Sequence, residues 1–144
     1  MINELDSTLS ALGFDDATGR LSTLQTVSTR AAGATGANNG AAIEVHPSGR
    51  FVYGSNRGDD DLATFAVDPD TGRVSLVGHT ATDGMTPRNF TLDPTGAWLY
   101  AANQGSDTVV PFAIDPSSGM PVRAGAPVAA TAPTFIGLVA LPAR

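Results

Sequence analysis

The stretch from Ile43 to Phe65, IEVHPSGRFVYGSNRGDDDLATF, recurs from Phe90 to Phe112 as FTLDPTGAWLYAANQGSDTVVPF. The two copies align without a gap. Tyr53 falls on Tyr100, Asn56 on Asn103, Gly58 on Gly105 and Phe65 on Phe112. Each copy reads as an alternating apolar run, a Pro-x-Gly turn, a second run, an Asn-x-Gly turn and a third run. A repeat of this length made of short strands is the mark of a β-propeller blade or a similar array.

The flanks follow the same unit. Asn3 falls on Asn56, Asp6 on Asp59, Leu9 on Leu62 and Asp15 on Asp68. Residues 1–40 are therefore the second half of a blade plus a crossing loop. This overrides the helical spacing of Leu5, Leu9 and Leu12. Residues 41–87 and 88–133 make two complete blades. Pro133 corresponds to Pro87, so 134–144 is the inner strand of a further blade, centred on Phe135–Leu141. Strands are expected at about Thr8–Phe14, Leu21–Ser28, Ala41–Val45, Phe51–Ser55, Leu62–Val67, Val74–His79, Asn89–Leu92, Trp98–Ala102, Thr108–Ile114 and Pro121–Gly125. Val52, Leu62, Phe65, Leu92, Leu99, Val109 and Phe112 are expected between the blades. The fold class is all-β, with blades of four antiparallel strands in a partial propeller.

Composition agrees. Sixteen Gly and ten Pro suit many tight turns. Cysteine is absent, which removes disulfides, thiolate metal sites and a cysteine nucleophile. A net charge of −6 with eight Lys and Arg argues against a nucleic-acid partner. No basic leader and no long apolar run is present, so a cytoplasmic setting without a membrane partner is expected.

The runs HPSGRFVYGSNRG, FAVDPDTGR, TPRNFTLDPTG and ANQGSD resemble the lactonase family of seven-bladed propellers, whose members include 6-phosphogluconolactonases and 3-carboxy-muconate lactonising enzymes. The resemblance covers nearly the whole chain, at about three blades of seven. It implies hydrolysis of a small anionic sugar lactone, such as 6-phosphogluconolactone, in the full-length parent, without a cofactor. The alternatives are muconate lactone closure and a non-catalytic fragment or scaffold. Where the family carries an acid after the Ala of the inner strand, this chain has Ala42, and a carboxylate returns two residues on at Glu44.

The resemblance puts site arginines at Arg57 and Arg88. They form the catalytic set with Glu44 as the acid. His46, Asn56, Asn103 and Gln104 are the substrate-binding candidates. His46 and the Asn residues also read as turn residues, since His46 matches Asp93 and Asn tolerates left-handed backbone. Gln104 and Glu4 take the place of Arg57 in their own blades. A position that varies inside a repeated frame is what a central pocket would need. Asp59-Asp60-Asp61 lacks the ligand spacing of a calcium loop and reads as a solvated, edge-protecting run; no metal is expected. Open blade edges imply self-association or a need for missing N-terminal blades.

Overall fold

The structure is a computed structural model and describes residues 1–139. Three antiparallel sheets follow one another along the chain. The first holds β1 (Ile2–Asn3), β2 (Thr8–Asp15) and β3 (Arg20–Ser28). The second holds β4 (Gly40–Val45), β5 (Phe51–Asn56), β6 (Asp61–Val67) and β7 (Val74–Ala81) in simple meander order. The third holds β8 (Pro87–Leu92), β9 (Trp98–Asn103), β10 (Thr108–Ile114) and β11 (Pro121–Arg123), with β12 (Val128–Ala129) also paired to β10. A 3₁₀ turn at Gln104–Ser106 is the one helical element among the described residues.

Turn chemistry sets these strands. Asp15, Asp68 and Asp115 each close an outer hairpin by accepting two backbone N–H groups; for Asp68 these come from Asp70 (2.9 Å) and Thr71 (3.0 Å). Hydrogen bonding within the turns holds all three carboxyls below the usual carboxylate range, led by the Thr18 side chain at Asp15, the Ser117 side chain at Asp115 and the Thr71 N–H at Asp68. A bulge recurs at one repeat position in each sheet. It lies opposite Ala11/Leu12 and opposite Thr64/Phe65. In the third sheet it widens until residues 124–127 loop out between β11 and β12. The expected strand Pro121–Gly125 is cut there.

The middle sheet is buried on both sides. All six residues of β5 are buried, and their alternation sends Phe51 and Tyr53 to one face and Val52 to the other. Phe51, Tyr53 and Leu62 pack with Phe90, Leu99, Val110 and Phe112 of the third sheet. Val52, Ala63, Phe65 and Val74 pack with Leu9 of the first. One expected core residue is corrected: Val109 is half-buried and Val110 is enclosed. Val110 lies two residues from Phe112 and so shares its face, which Val109 cannot.

The expected strand at Phe135–Leu141 is also corrected. Residues 135–139 have no regular structure, and 140–141 lie outside the described residues. Its apolar pattern is strand-like, but no described strand pairs with it. Ile136 is instead tied to β8 by its N–H, which donates to Asn89 Oδ1 at 2.9 Å. Among the described residues no helix is long and apolar enough to cross a membrane.

Candidate functional site

The second strand of each blade ends in Asn3, Asn56 or Asn103, and the next residue is Glu4, Arg57 or Gln104. The turn that follows leads to the next strand of the same blade; a crossing loop joins each outer strand to the next inner strand, and residues 29–39 form the one before β4. Arg57 is held by this loop at its backbone, where its N–H donates to Asn39 O at 2.9 Å. The N–H groups of Gly58 and Asp59 donate to Asn38 Oδ1 at 2.8 and 3.0 Å. Gly58 is needed for this approach: a Cβ there would stand 2.1 Å from Ala37 O. Its repeat mate Gly105 faces Thr86 and Met85 in the same way.

One pocket of about 150 Å³ is lined by Glu4, Ala41, Arg57, Arg88 and Thr134. The repeat explains this set. Glu4 and Arg57 are equivalent residues of adjacent blades. Ala41, Arg88 and Thr134 are equivalent entrances to successive inner strands. Arg88 sits in a bulge, between Pro87 paired with Asn103 and Asn89 paired with Ala102. A bulge adds one unpaired residue and re-aims its side chain. The β4 bulge between Gly40 and Ile43 holds Ala41 and Ala42 at the same place.

The Arg57 guanidinium forms an ion pair with Glu4 through Nη2, and its Nε is buried without an acceptor among the described residues. Arg88 is exposed and belongs to none of the three ion pairs of the described residues. Two guanidinium groups against one carboxylate leave the pocket net positive. Such a pocket can hold a phosphate or carboxylate and stabilise a developing oxyanion.

The other candidates are not brought to this pocket. Glu44 pairs with Tyr53, three residues down β5 from Asn56, or about 10 Å along a strand. Its carboxylate accepts the Leu92 N–H of the next inner strand at 2.9 Å, so it joins two blades. His46 lies in the turn beyond that, with Nε2 donating to Gly96 O at 3.0 Å and Nδ1 bonded to Ser48. Gln104 opens the 3₁₀ turn, half-buried, with its N–H on Thr86 O at 3.0 Å. Asn56 is enclosed and fully bonded: Oδ1 accepts from Thr29 and Asn38, and Nδ2 donates to Thr29 O and Asp61. Asn103 is enclosed too, donating to Thr82 O at 3.0 Å, but its Oδ1 has no partner among the described residues. The repeat position of Asn38, which donates to Asn56, is Met85 in this blade, and a methionine side chain has no donor.

The triple acid is not a solvated run. Asp59 accepts a two-point bond from Arg30 at 2.7 Å, which holds its carboxyl below the usual range. Asp60 accepts the Thr86 N–H at 2.7 Å. Asp61 accepts from Asn56 at 2.7 Å, and burial pushes its carboxyl up. Among the described residues no group of three or more His, Cys, Asp or Glu is arranged to hold a metal.

Glu4 is the one charged lining residue of this pocket that is not among the candidates read from the sequence. The signal was present, since it occupies the place of Arg57 one repeat earlier. Its juxtaposition with Arg88 appears only when blades are set side by side.

Meander sheets packed face to face, with successive inner-strand entrances around one pocket, define a β-propeller. Residues 1–138 match the family described as lactonase, 7-bladed beta-propeller, and the chain belongs to that family. It is 36% identical over 93 residues to the 6-phosphogluconolactonase of Bacillus subtilis, covering 65% of this chain and 27% of that protein. It is 40% identical over 93 residues to the uncharacterized protein YwcC of Lactococcus lactis, with the same coverage. The solved periplasmic gluconolactonase of Pseudomonas aeruginosa superposes with a TM-score of 0.90 at 35% identity, over 96% of this chain and 38% of that one. The chain thus spans about 27% of the curated relatives it matches.

Proposed function

We propose that this chain carries the anion-binding part of a lactone hydrolase site that acts on a sugar lactone such as 6-phosphogluconolactone. The observation that supports it is the shared pocket of Arg57, Arg88 and Glu4. Arg88 binds the anionic group of the substrate. Arg57 faces the lactone carbonyl and stabilises the oxyanion that forms on it. Glu4 keeps one carboxylate oxygen on Arg57 and uses the other as general base. It takes a proton from the attacking water as the new C–O bond forms. The tetrahedral intermediate then expels the ring oxygen, which receives that proton, and the product is the open hydroxy acid. The named relatives, a 6-phosphogluconolactonase and a gluconolactonase, support the substrate class. A phosphorylated lactone is charged and does not cross a bilayer, so this reading carries a cytoplasmic setting with it.

The test is acid release from 6-phosphogluconolactone, followed in a pH-stat above the spontaneous rate. Catalysed turnover is expected, with a lower kcat/KM for the unphosphorylated lactone. Glu4→Gln should lower kcat by about 10²–10⁴-fold, the usual reach of a general base. No catalysis by the parent chain would turn the proposal over to the scaffold reading.

Self-association belongs to the same proposal. Phe14 and Leu21 on the outer sheet are 68% and 63% exposed, and Val122 and Val128 at the other end are 57% and 63% exposed. Apolar side chains at both ends of the array suit sheet-to-sheet contact. Light scattering should give a mass above the 14.6 kDa monomer at micromolar concentration; a clean monomer would remove this part.

A further inference from the structure

We propose that Asp60 is a positioning residue that fixes Arg88 relative to Arg57. The inference rests on the pocket reading above, and it uses a device that recurs in every blade.

Three residues after Arg57 and after each of its repeat equivalents stands a non-glycine residue in left-handed backbone. Ser7 follows Glu4 with φ 51°, Asp60 follows Arg57 with φ 55°, and Asp107 follows Gln104 with φ 54°. Each offers two acceptors to the crossing loop that leads to the next inner strand. The first is the backbone carbonyl. Ser7 O accepts Thr29 N–H at 2.9 Å, Asp60 O accepts Thr82 N–H at 3.0 Å, and Asp107 O accepts Ala130 N–H at 2.9 Å. The second is the side chain. Ser7 Oγ accepts from Asn38 Nδ2 at 2.9 Å, Asp60 Oδ1 accepts Thr86 N–H at 2.7 Å, and Asp107 Oδ1 accepts Ala132 N–H at 2.7 Å.

Both Asp anchors fall two residues before a pocket residue. Thr86 precedes Arg88 and Ala132 precedes Thr134. Thr86 and Ala132 are themselves at positive φ, 57° and 41°, a conformation that costs a non-glycine residue and that the surroundings must hold in place. Asp60 therefore belongs to the same short turn as Arg57 and grips the backbone that delivers Arg88. Thr86 O in turn accepts the Gln104 N–H, so the grip is continued into the next blade. The spacing of the two guanidinium groups depends on one carboxylate that touches neither of them.

The experiment compares Asp60→Ala and Asp60→Asn with the parent chain. Affinity for 6-phosphogluconate is read by titration calorimetry, and the Arg Nε–Hε signals are read by NMR. Asp60→Ala should weaken 6-phosphogluconate by about tenfold or more, because small misplacements of binding groups are costly. It should also shift the Arg88 Nε–Hε signal. Asp60→Asn keeps an oxygen acceptor for Thr86 N–H and should restore both. Should Asp60→Ala fail to fold, Asp60→Ser replaces it, since serine occupies the equivalent place at Ser7; a partial loss is then expected. Parent-like binding by Asp60→Ala, or equal losses in the Ala and Asn variants, overturns the proposal. If the parent chain does not bind 6-phosphogluconate, the pocket reading fails on its own. The positioning role is then decided by NMR: an Arg88 signal unmoved in Asp60→Ala overturns it.

Discussion

Arg57→Ala should lower kcat for 6-phosphogluconolactone by about 10²–10³-fold, the loss found when one oxyanion donor is removed. Three features make Arg57 the sensitive residue of the pair. Its backbone is clamped by Asn39, and the turn beneath it is clamped by Asn38. Its Nη2 holds Glu4, so its removal also releases the proposed base. Its Nε is an enclosed donor without an acceptor among the described residues, which is uncommon. Arg57→Lys should recover little, because an ammonium cannot bind Glu4 and an oxyanion in one planar fork. Arg88→Ala should act differently. Arg88 is exposed and makes no ion pair among the described residues, so its loss should raise KM more than it lowers kcat. Steady-state kinetics on the three variants separates these roles. An unchanged kcat/KM in Arg57→Ala would remove it from the mechanism.

Much of the fold was legible because the chain repeats itself. Aligning Asn3 with Asn56 turned a helix-like leucine spacing into a strand at Thr8–Phe14, where the structure has β2; the short β1 before it was not expected. What the repeat could not carry was the relation between blades. In the sequence Glu44 reads as the acid because it lies two residues from Ala42. That spacing keeps it on the strand face but moves it toward the far end of the blade, where Leu92 N–H claims it. Glu4 was visible as the equivalent of Arg57, yet nothing local says that an Asn turn in one blade faces an inner-strand entrance two blades on. The asparagines show the reverse case. Their recurrence was legible as turn structure, and Asn56 is indeed spent on Thr29, Asn38 and Asp61 rather than turned to a ligand. The triple acid departs from the usual solvated charge run because Asp59, Asp60 and Asp61 each bind a different partner: Arg30, Thr86 N–H and Asn56.

Phe112→Ala should destabilise the chain by about 3–5 kcal/mol, the usual cost of emptying an aromatic core site. That is a large share of a domain stability of about 5–15 kcal/mol. Phe112 is fully enclosed and packs against the middle sheet together with Val110 and Leu99. Phe65 occupies the equivalent place one blade earlier, equally enclosed, against the first sheet. Both stand beside the bulge of their blade, where β6 and β10 lose simple register with the outer strand. Neighbours in a close-packed core move too little to close the space that removal of the ring would leave. Leu12 is the same position in the first blade, beside the same bulge, but it is only half-buried. Leu12→Ala should therefore cost clearly less than Phe112→Ala. Urea unfolding of the two variants and the parent gives the comparison directly, with the slope checked for constancy. Equal costs at the two positions would mean that packing between blades adds nothing to what each blade supplies alone.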